Sequence, residues 1–334
     1  MNSRGRLPPL LRRLGAGRIL YWLWHAPAGL MRNSLAAGGP VQQWITARGR
    51  RAMEQAAGAL PPQEGLPARH LPELHFLTGR KFWYQTAFCL HSLQRHTGIV
   101  FRTVLHDDGT LAKDEAARLQ RLFPGAEIRQ RPDSDARLAA LLPPPRYPHL
   151  HAERRQPYPN FLKLTDVHAG TRGWKLVLDS DMLFFRRPDF LLKWLQAPDR
   201  PLHMIDVQDS YGYPRPLLES LAGASLPARL NVGICGLRSE ELDWDRLETW
   251  CWRLQEAAGT SYYLEQVLVA MLCAGRACAV APADDYRVMP TEAEWREPRA
   301  VLHHYVAGSK RGYYRHAWKL ALARSGAPPA TAVP

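Results

Sequence analysis

Apolar positions along this chain of 334 residues fall into short runs that alternate between two spacings. Leu74 to Thr78 is a compact apolar run that predicts a strand, and Gly79 supplies a turn behind it. From Phe82 to Leu93 the spacing of Phe82, Cys89 and Leu93, with Phe88 beside them, predicts a helix. Ile99 to Leu105 predicts a second strand, closed by His106, Asp107, Asp108 and Gly109, where Asp-Gly marks a sharp turn. Leu111 to Phe123 predicts a helix stopped by Pro124-Gly125, and Ala126 to Arg131 predicts a third, more polar strand. Strand alternating with helix is the rhythm of a parallel α/β sheet.

The pattern continues after a loop from Pro143 to Pro148. A helix around Asn160 to His168 leads into Lys175 to Phe185, KLVLDSDMLFF, an apolar strand broken by Asp179 and Asp181. Pro188 is placed to open a helix. Leu202 to Ile205 predicts a strand, and the Tyr, Gly and Pro-rich stretch from Asp209 to Pro216 predicts a surface loop that presents aromatic rings. Arg229 to Arg238 predicts a strand holding Asn231 and Gly233, and glycine inside a strand permits close approach of a ligand or another backbone. Ser239 predicts the cap of a helix that stops at Gly259, and Tyr262 to Cys273 a further helix carrying Glu265 and Gln266. Ala277 to Ala281 and Val301 to Val306 predict strands, the second with His303 and His304, and Tyr313 to Leu322 a closing helix.

The chain divides into three regions. Residues 1–68 form a basic, aromatic-containing helical extension that ends in the linker PPQEGLP from Pro61; residues 69–325 form one α/β domain; residues 326–334 are a frayed tail. The formal charge of +13 is mainly local, because the first sixty residues hold nine Arg, no Lys and one acid, Glu54, which is +8 of the total. Arg12, Arg13 and Arg18 with Tyr21, Trp22 and Trp24 read either as a basic amphipathic segment for an anionic membrane surface or as a helix packed on the domain. No groove of interleaved aromatic and basic residues lies outside that segment, so nucleic acid is not expected as a partner.

Ile19 to Met31, interrupted by His25 and Pro27, is too short for a bilayer, which needs about 20 residues. The five cysteines are odd in number, scattered and never spaced as Cys-x-x-Cys, which fits a reducing compartment and neither a disulfide framework nor a zinc site. The expected location is cytoplasmic, peripheral on the membrane.

Asp179 and Asp181 change the picture from fold to chemistry. Period-two geometry in an extended chain puts both carboxylates on one side, at the end of a sheet strand, where two hard oxygen ligands can converge on a divalent cation. The competing reading is strand-end solvation and capping of the next helix. In chain order the sequence then offers Asn231-x-Gly233, Glu265-Gln266, and His304-Tyr305 with Gly308 and Lys310 beyond them. This order resembles nucleotide-sugar-dependent glycosyltransferases of the GT-A fold, most closely those of family 8 and their relatives.

The resemblance spans about Leu74 to Lys310 and implies a Rossmann-like, mixed and mostly parallel sheet flanked by helices. It implies that Asp181 and His304, with Asp179 assisting, ligate Mn²⁺ or Mg²⁺ beneath the donor diphosphate, His303 being the alternative imidazole. It implies that Leu77, Thr78 and Gly79, with Asp107 or Asp108, line the nucleotide pocket, that Lys163 and Lys310 face phosphates, and that Asn231, Gly233, Glu265 and Gln266 surround the transferred sugar. The activity implied is transfer of a hexosyl group from a nucleoside-diphosphate sugar, with UDP favoured, to a saccharide, lipid-linked or protein acceptor, with retention at the anomeric carbon. The late motif departs from the family's His-x-x-Gly-x-x-Lys spacing, since Gly308 lies four residues after His304 and Lys310 two after Gly308. Tyr211, Tyr213 and Trp295 are read either as rings that stack on an acceptor sugar or as core or surface packing.

Two rival readings remain. An apolar strand ending in Asp-x-Asp also resembles haloacid-dehalogenase-type phosphatases, with Asp179 as nucleophile, Asp181 as acid/base and Asp284-Asp285 as late metal ligands. Leu183 stands where that family has Thr or Val, and the motif lies mid-chain. A non-catalytic, basic, membrane-associated protein is favoured by charge alone.

Overall fold

The computed structural model describes residues 39–323, so the segment with Arg12, Arg13, Arg18, Tyr21, Trp22 and Trp24 and the tail 326–334 lie outside the described residues. The chain divides into two compact units, Met1–Ala52 and Met53–Pro334. The described part of the first, residues 39–52, is helical and belongs to helix Gly39–Gly58. There Val41 and Trp44 are exposed, and the Arg48 guanidinium sits over the Trp44 ring at 5.7 Å.

The second unit is built on strands β1 (Glu73–Thr78), β2 (Thr103–Asp107), β3 (Glu127–Arg129), β4 (Trp174–Leu178), β5 (Met182–Phe184), β6 (Leu202–Ile205), β7 (Leu230–Arg238), β8 (Ala279–Val280), β9 (Tyr286–Val288) and β10 (Leu302–His304). Seven of them make one sheet in the order β3-β2-β1-β4-β7-β6-β8, and the other three a small sheet in the order β5-β10-β9. In the large sheet β7 alone runs against its neighbours, β4 and β6, while β1, β2, β3 and β4 pair in parallel, as do β6 and β8. This is the mixed, mostly parallel sheet with flanking helices that the sequence implied.

The central strands are buried because both faces are covered: Leu74 and Phe76 of β1 and Leu176, Val177 and Leu178 of β4 are buried, and so is the polar His75 of β1. Helix Leu264–Leu272 is buried at every position from Leu264 to Met271, which includes Glu265 and Gln266. Two polar side chains inside an otherwise apolar helix are costly unless they are used.

The structure corrects several local expectations. Lys175 to Phe185 is two strands, not one: β4 ends at Leu178 and β5, in the other sheet, begins at Met182. The crossing is pinned by backbone bonds, Asp179 N–H to the Gly233 carbonyl (2.8 Å) and Tyr305 N–H to the Asp181 carbonyl (2.9 Å). The two carboxylates therefore converge at a junction of sheets, not along an extended strand.

Helices Arg131–Leu141, Pro148–Arg154 and Arg215–Ala222 begin where the sequence reads as a strand end (Arg131) or a loop (Pro148, Arg215 and Pro216), and run on through stretches that carried no expectation. Each carries proline in its first turn, where a missing N–H costs nothing, so that a residue resembling a breaker instead opens the helix. Asp243, not Ser239, caps the long helix Trp244–Ala258, accepting from Arg246 N–H at 3.0 Å. Strand β9 is too short to show a period.

Of the two readings of Tyr211, Tyr213 and Trp295, core packing is the one observed: all three are buried. Their polar ends explain the first two: the Tyr211 hydroxyl donates to the Pro227 carbonyl (2.5 Å) and that of Tyr213 to the Gly259 carbonyl (3.0 Å). Trp295 lies over Gly312, where a Cβ would come within 1.9 Å of the indole.

Candidate active site

Strand register delivers the imidazole to the carboxylates. β10 runs antiparallel to β5, setting His304 opposite Met182 and His303 opposite Leu183. Alternation along the strand then sends the two imidazoles to opposite faces. His303 turns toward Tyr305, with Nδ1 3.0 Å from the hydroxyl, and packs edge-on to Phe185. His304 turns to the junction, with Nε2 3.3 Å from Asp181 Oδ1 and 3.5 Å from Asp179 Oδ2. Of the two imidazoles that the sequence left open, His304 is the one within reach of both carboxylates.

Ligand atoms of Asp179, Asp181 and His304 all lie within 4.8 Å of one another, the one such His, Cys, Asp or Glu group among the described residues. Both ring nitrogens of His304 are buried and have no hydrogen-bond partner. An imidazole at ion-pair distance from two carboxylates, with neither ring nitrogen in a hydrogen bond, is a donor set suited to a divalent ion of the Mn²⁺ or Mg²⁺ kind. Room for the ring comes from Gly233 on β7, where a Cβ would lie 2.5 Å from His304 Nδ1.

Lysines hold the acids. Lys163, buried on helix Leu162–His168, bridges Asp179 Oδ1 (2.6 Å) and Glu265 Oε2 (3.0 Å). Burial works to lower its pKa, but the two carboxylates outweigh it and the ammonium is held well above the usual lysine range. Lys310 lies 3.1 Å from Asp181 Oδ2 despite its irregular spacing in sequence. Burial raises the Asp181 pKa, and Lys310 and His304 together reverse that and hold it below the usual carboxylate range. Glu265 goes the other way: burial, with Asp179 adding to it and Lys163 opposing, raises its pKa to about 7.

Two cavities open on this cluster. One, of about 490 Å³, reaches from Leu77 and Asp108 past Arg131 to Lys163, Asp179, Asp181 and Lys310. The other, of about 450 Å³, is floored by Asp206, Asn231, Gly233, Glu265, Gln266 and His304. Lys163 and Asp179 line both, so the ion cluster stands in the wall between them.

Most predicted residues fall on these two surfaces. Asn231 donates to Asp206 Oδ2 (3.0 Å) and its oxygen accepts from Gly233 N–H (2.9 Å); Gln266 donates to the Ser210 carbonyl (2.8 Å). Of the acid pair after β2, Asp108 lines the first cavity, over Gly79, where a Cβ would come within 2.1 Å of its carboxylate. Asp107 instead braces the turn, accepting from Gly109 N–H (2.8 Å) and Leu111 N–H (2.9 Å). Thr78 is buried and accepts from Thr86, and Gly308 lies on the short turn 307–309 without lining either cavity.

Sequence reading missed Asp206 and the tyrosines Tyr158, Tyr262 and Tyr263. Asp206 had the same signal as Asp179, a carboxylate ending an apolar strand, but without a second acid beside it. Asp284 and Asp285, the late ligands of the phosphatase reading, are ion-paired on the surface with Arg287 (3.2 Å) and Arg186 (2.7 Å) and belong to no acid cluster.

No protein-family model and no curated protein matches the chain. Solved structures similar to it are glycosyltransferases. Mouse xyloside xylosyltransferase 1 in its apo form shares 13% identity at a TM-score of 0.47, over 70% of this chain and 97% of that one. The bifunctional glycosyltransferase WbbM shares 11% at 0.49, over 79% of this chain and 53% of its own length. The galactosyltransferase LgtC, in complex with donor and acceptor sugar analogues, shares 14% at 0.46, over 78% and 97%.

Proposed function

We propose that the protein is a metal-assisted glycosyltransferase that takes its sugar from a nucleoside diphosphate. The observation that carries this reading is the three-ligand cluster set in the wall between two cavities. The ion that Asp179, Asp181 and His304 would hold supplies positive charge to the diphosphate leaving group. Lys81, Arg131 and Lys310 make the first cavity cationic, as a nucleotide requires, and Lys310 reaches toward the same ion site from that side.

The second cavity suits the sugar. Asn231, Asp206, Glu265 and Gln266 offer amide and carboxylate groups for hydroxyls, and Glu265 sits where a carboxylate can steady a cationic anomeric centre. Lys163 binds Glu265 and Asp179 at once, so the group facing the sugar and the group facing the ion are positioned by one side chain. UDP as the donor nucleotide, a hexosyl group and retention of configuration are the finer parts of the reading and rest on the resemblance of the ordered motifs to family 8. So does a saccharide, lipid-linked or protein acceptor. Attachment to an anionic membrane surface through residues 1–60 is a further part; no described helix is long and apolar enough to cross a membrane.

Incubation with Mn²⁺ and a panel of nucleotide sugars tests the reading. Hydrolysis or transfer that is lost in Asp181→Ala supports it, and proton NMR of the product reads the anomeric outcome. Phosphatase activity that needs no nucleotide sugar and depends on Asp179 contradicts it.

A further inference from the structure

Three tyrosines stand in a row at the mouth of the two cavities. Tyr158, Tyr262 and Tyr263 are 53%, 54% and 38% exposed, although most aromatic rings of the domain are buried. Tyr158 and Tyr262 meet edge to face with centroids 5.2 Å apart, and Tyr262 and Tyr263 do the same at 5.4 Å. Tyr158 lines the first cavity, Tyr263 the second, and Tyr262 both. Val207 and Met289, also exposed, continue the apolar rim around the second cavity.

The rim is held in place from behind. The Tyr213 hydroxyl bonds the Gly259 carbonyl at the start of the loop that carries Tyr262 and Tyr263. Gly212, at φ 72°, presses on the same loop: a Cβ there would lie 2.5 Å from Ser261 Oγ and 3.1 Å from the Tyr263 ring. Ser261 Oγ in turn accepts from Tyr263 N–H (3.2 Å). Tyr213 and Gly212 of the 209–216 stretch thus brace a second set of tyrosines that faces solvent. Rings exposed in fixed positions present apolar area without the entropy cost of ordering them on binding.

Resting on the glycosyltransferase reading, we propose that this rim is the acceptor subsite and that the acceptor presents a neutral pyranose ring, which stacks on Tyr262 and Tyr263 with a hydroxyl directed at the Glu265 floor. Charge separates this occupant from the nucleotide. Lys81, Arg131 and Lys310 belong to the first cavity alone. Lys163, the cation of the second, is committed to Asp179 and Glu265. A pyranose has the two faces such a site needs: axial C–H groups for the ring faces and hydroxyls for Asp206, Asn231 and Gln266.

Ligand-observed NMR with lactose, maltose and cellobiose as probes, run with and without Mn²⁺ plus UDP or GDP, tests the proposal on the full chain. At least one disaccharide binds, Tyr262→Ala/Tyr263→Ala weakens it roughly tenfold, and Tyr262→Phe/Tyr263→Phe retains it, since the ring faces are kept. Nucleotide affinity is unchanged in Tyr263→Ala alone, because that ring lines only the second cavity. Absence of disaccharide binding where nucleotide binds, or binding indifferent to the alanine pair, overturns the acceptor site and leaves the donor reading intact. Disaccharide binding lost in the alanine pair with no nucleotide bound in any protein upholds a saccharide site on the rim and overturns the donor reading.

Discussion

Gly233 lies directly beneath His304. A Cβ at position 233 would sit 2.5 Å from Nδ1 and 2.6 Å from Cε1 of the imidazole, and 2.9 Å from the Asn231 oxygen. The glycine is legible in the sequence as a close-approach position within a strand, and its neighbour across the gap is the imidazole of the candidate ion cluster. Gly233→Ala therefore pushes the imidazole from its place while leaving an ordinary strand backbone. We expect a thermal unfolding change corresponding to about 1–3 kcal/mol of overpacking and at least a roughly tenfold loss of Mn²⁺ affinity, about 1.4 kcal/mol. Manganese titration by electron paramagnetic resonance, alongside circular dichroism, separates the two effects.

Lys163 is buried between Asp179 and Glu265, and removing it leaves two carboxylates facing each other without a cation. Lys163→Met is expected to cost about 3–5 kcal/mol in urea unfolding of the metal-free protein. Adding Glu265→Gln in the same chain should return a large part of that loss, because one of the uncompensated charges is then gone. Equal destabilisation of the single and double variants would mean that packing, not charge, sets the cost.

Glu265→Gln alone separates binding from chemistry. Its carboxylate lines the sugar cavity and does not touch the ion ligands directly, so nucleotide affinity should hold while turnover falls about 10²–10³-fold. Isothermal titration with Mn²⁺ and nucleotide, paired with a donor turnover assay, reads the two quantities. A parallel fall in affinity would move Glu265 from the sugar to the nucleotide side.

The sheet was readable because its central strands carry compact apolar runs and its first helices come after strands at regular intervals. The candidate ion cluster was legible in part: only Ser180 separates Asp179 from Asp181, whereas His304 lies inside a predicted strand and entered through the resemblance of the ordered motifs. The parts that escaped reading depend on long-range geometry. The break between Leu178 and Met182 is made by β7 and β10, some 50 and 120 residues away in sequence, and is written nowhere in KLVLDSDMLFF itself. The stretch from Tyr211 to Tyr213 has the composition of a display of rings, and composition cannot tell that its hydroxyls find carbonyls at Pro227 and Gly259. Lys310 sits near Asp181 because the turn at 307–309 absorbs the unusual spacing from His304.

Acid should weaken the fold through buried histidines remote from the ion site. His75 and His168 are fully buried, and burial is the first cause that lowers their pKa values, to about 4 and about 3, from an ordinary 6.5. The folded chain thus binds fewer protons than the unfolded one, so this stability is complete above pH 6.5 and is lost as pH falls through the folded values. For His75 the loss is on the order of 3 kcal/mol. Glu265, with its pKa raised to about 7, and His304, which burial works to lower but Asp181 and Asp179 raise, have the opposite sign, but His106 and His303, likewise lowered by burial, side with His75 and His168. Urea midpoints measured from pH 7 to pH 4 should fall, and a midpoint that rises over this range would contradict the assignment.

The most direct measurement is nucleotide binding as a function of Mn²⁺ in the unaltered protein, Asp181→Ala, His304→Ala and His303→Ala. The account predicts that UDP or GDP binds tightly only with the ion present, that this dependence disappears in Asp181→Ala and His304→Ala, and that His303→Ala keeps it. Nucleotide binding that is indifferent to Mn²⁺, or that survives in His304→Ala and fails in His303→Ala, would contradict it.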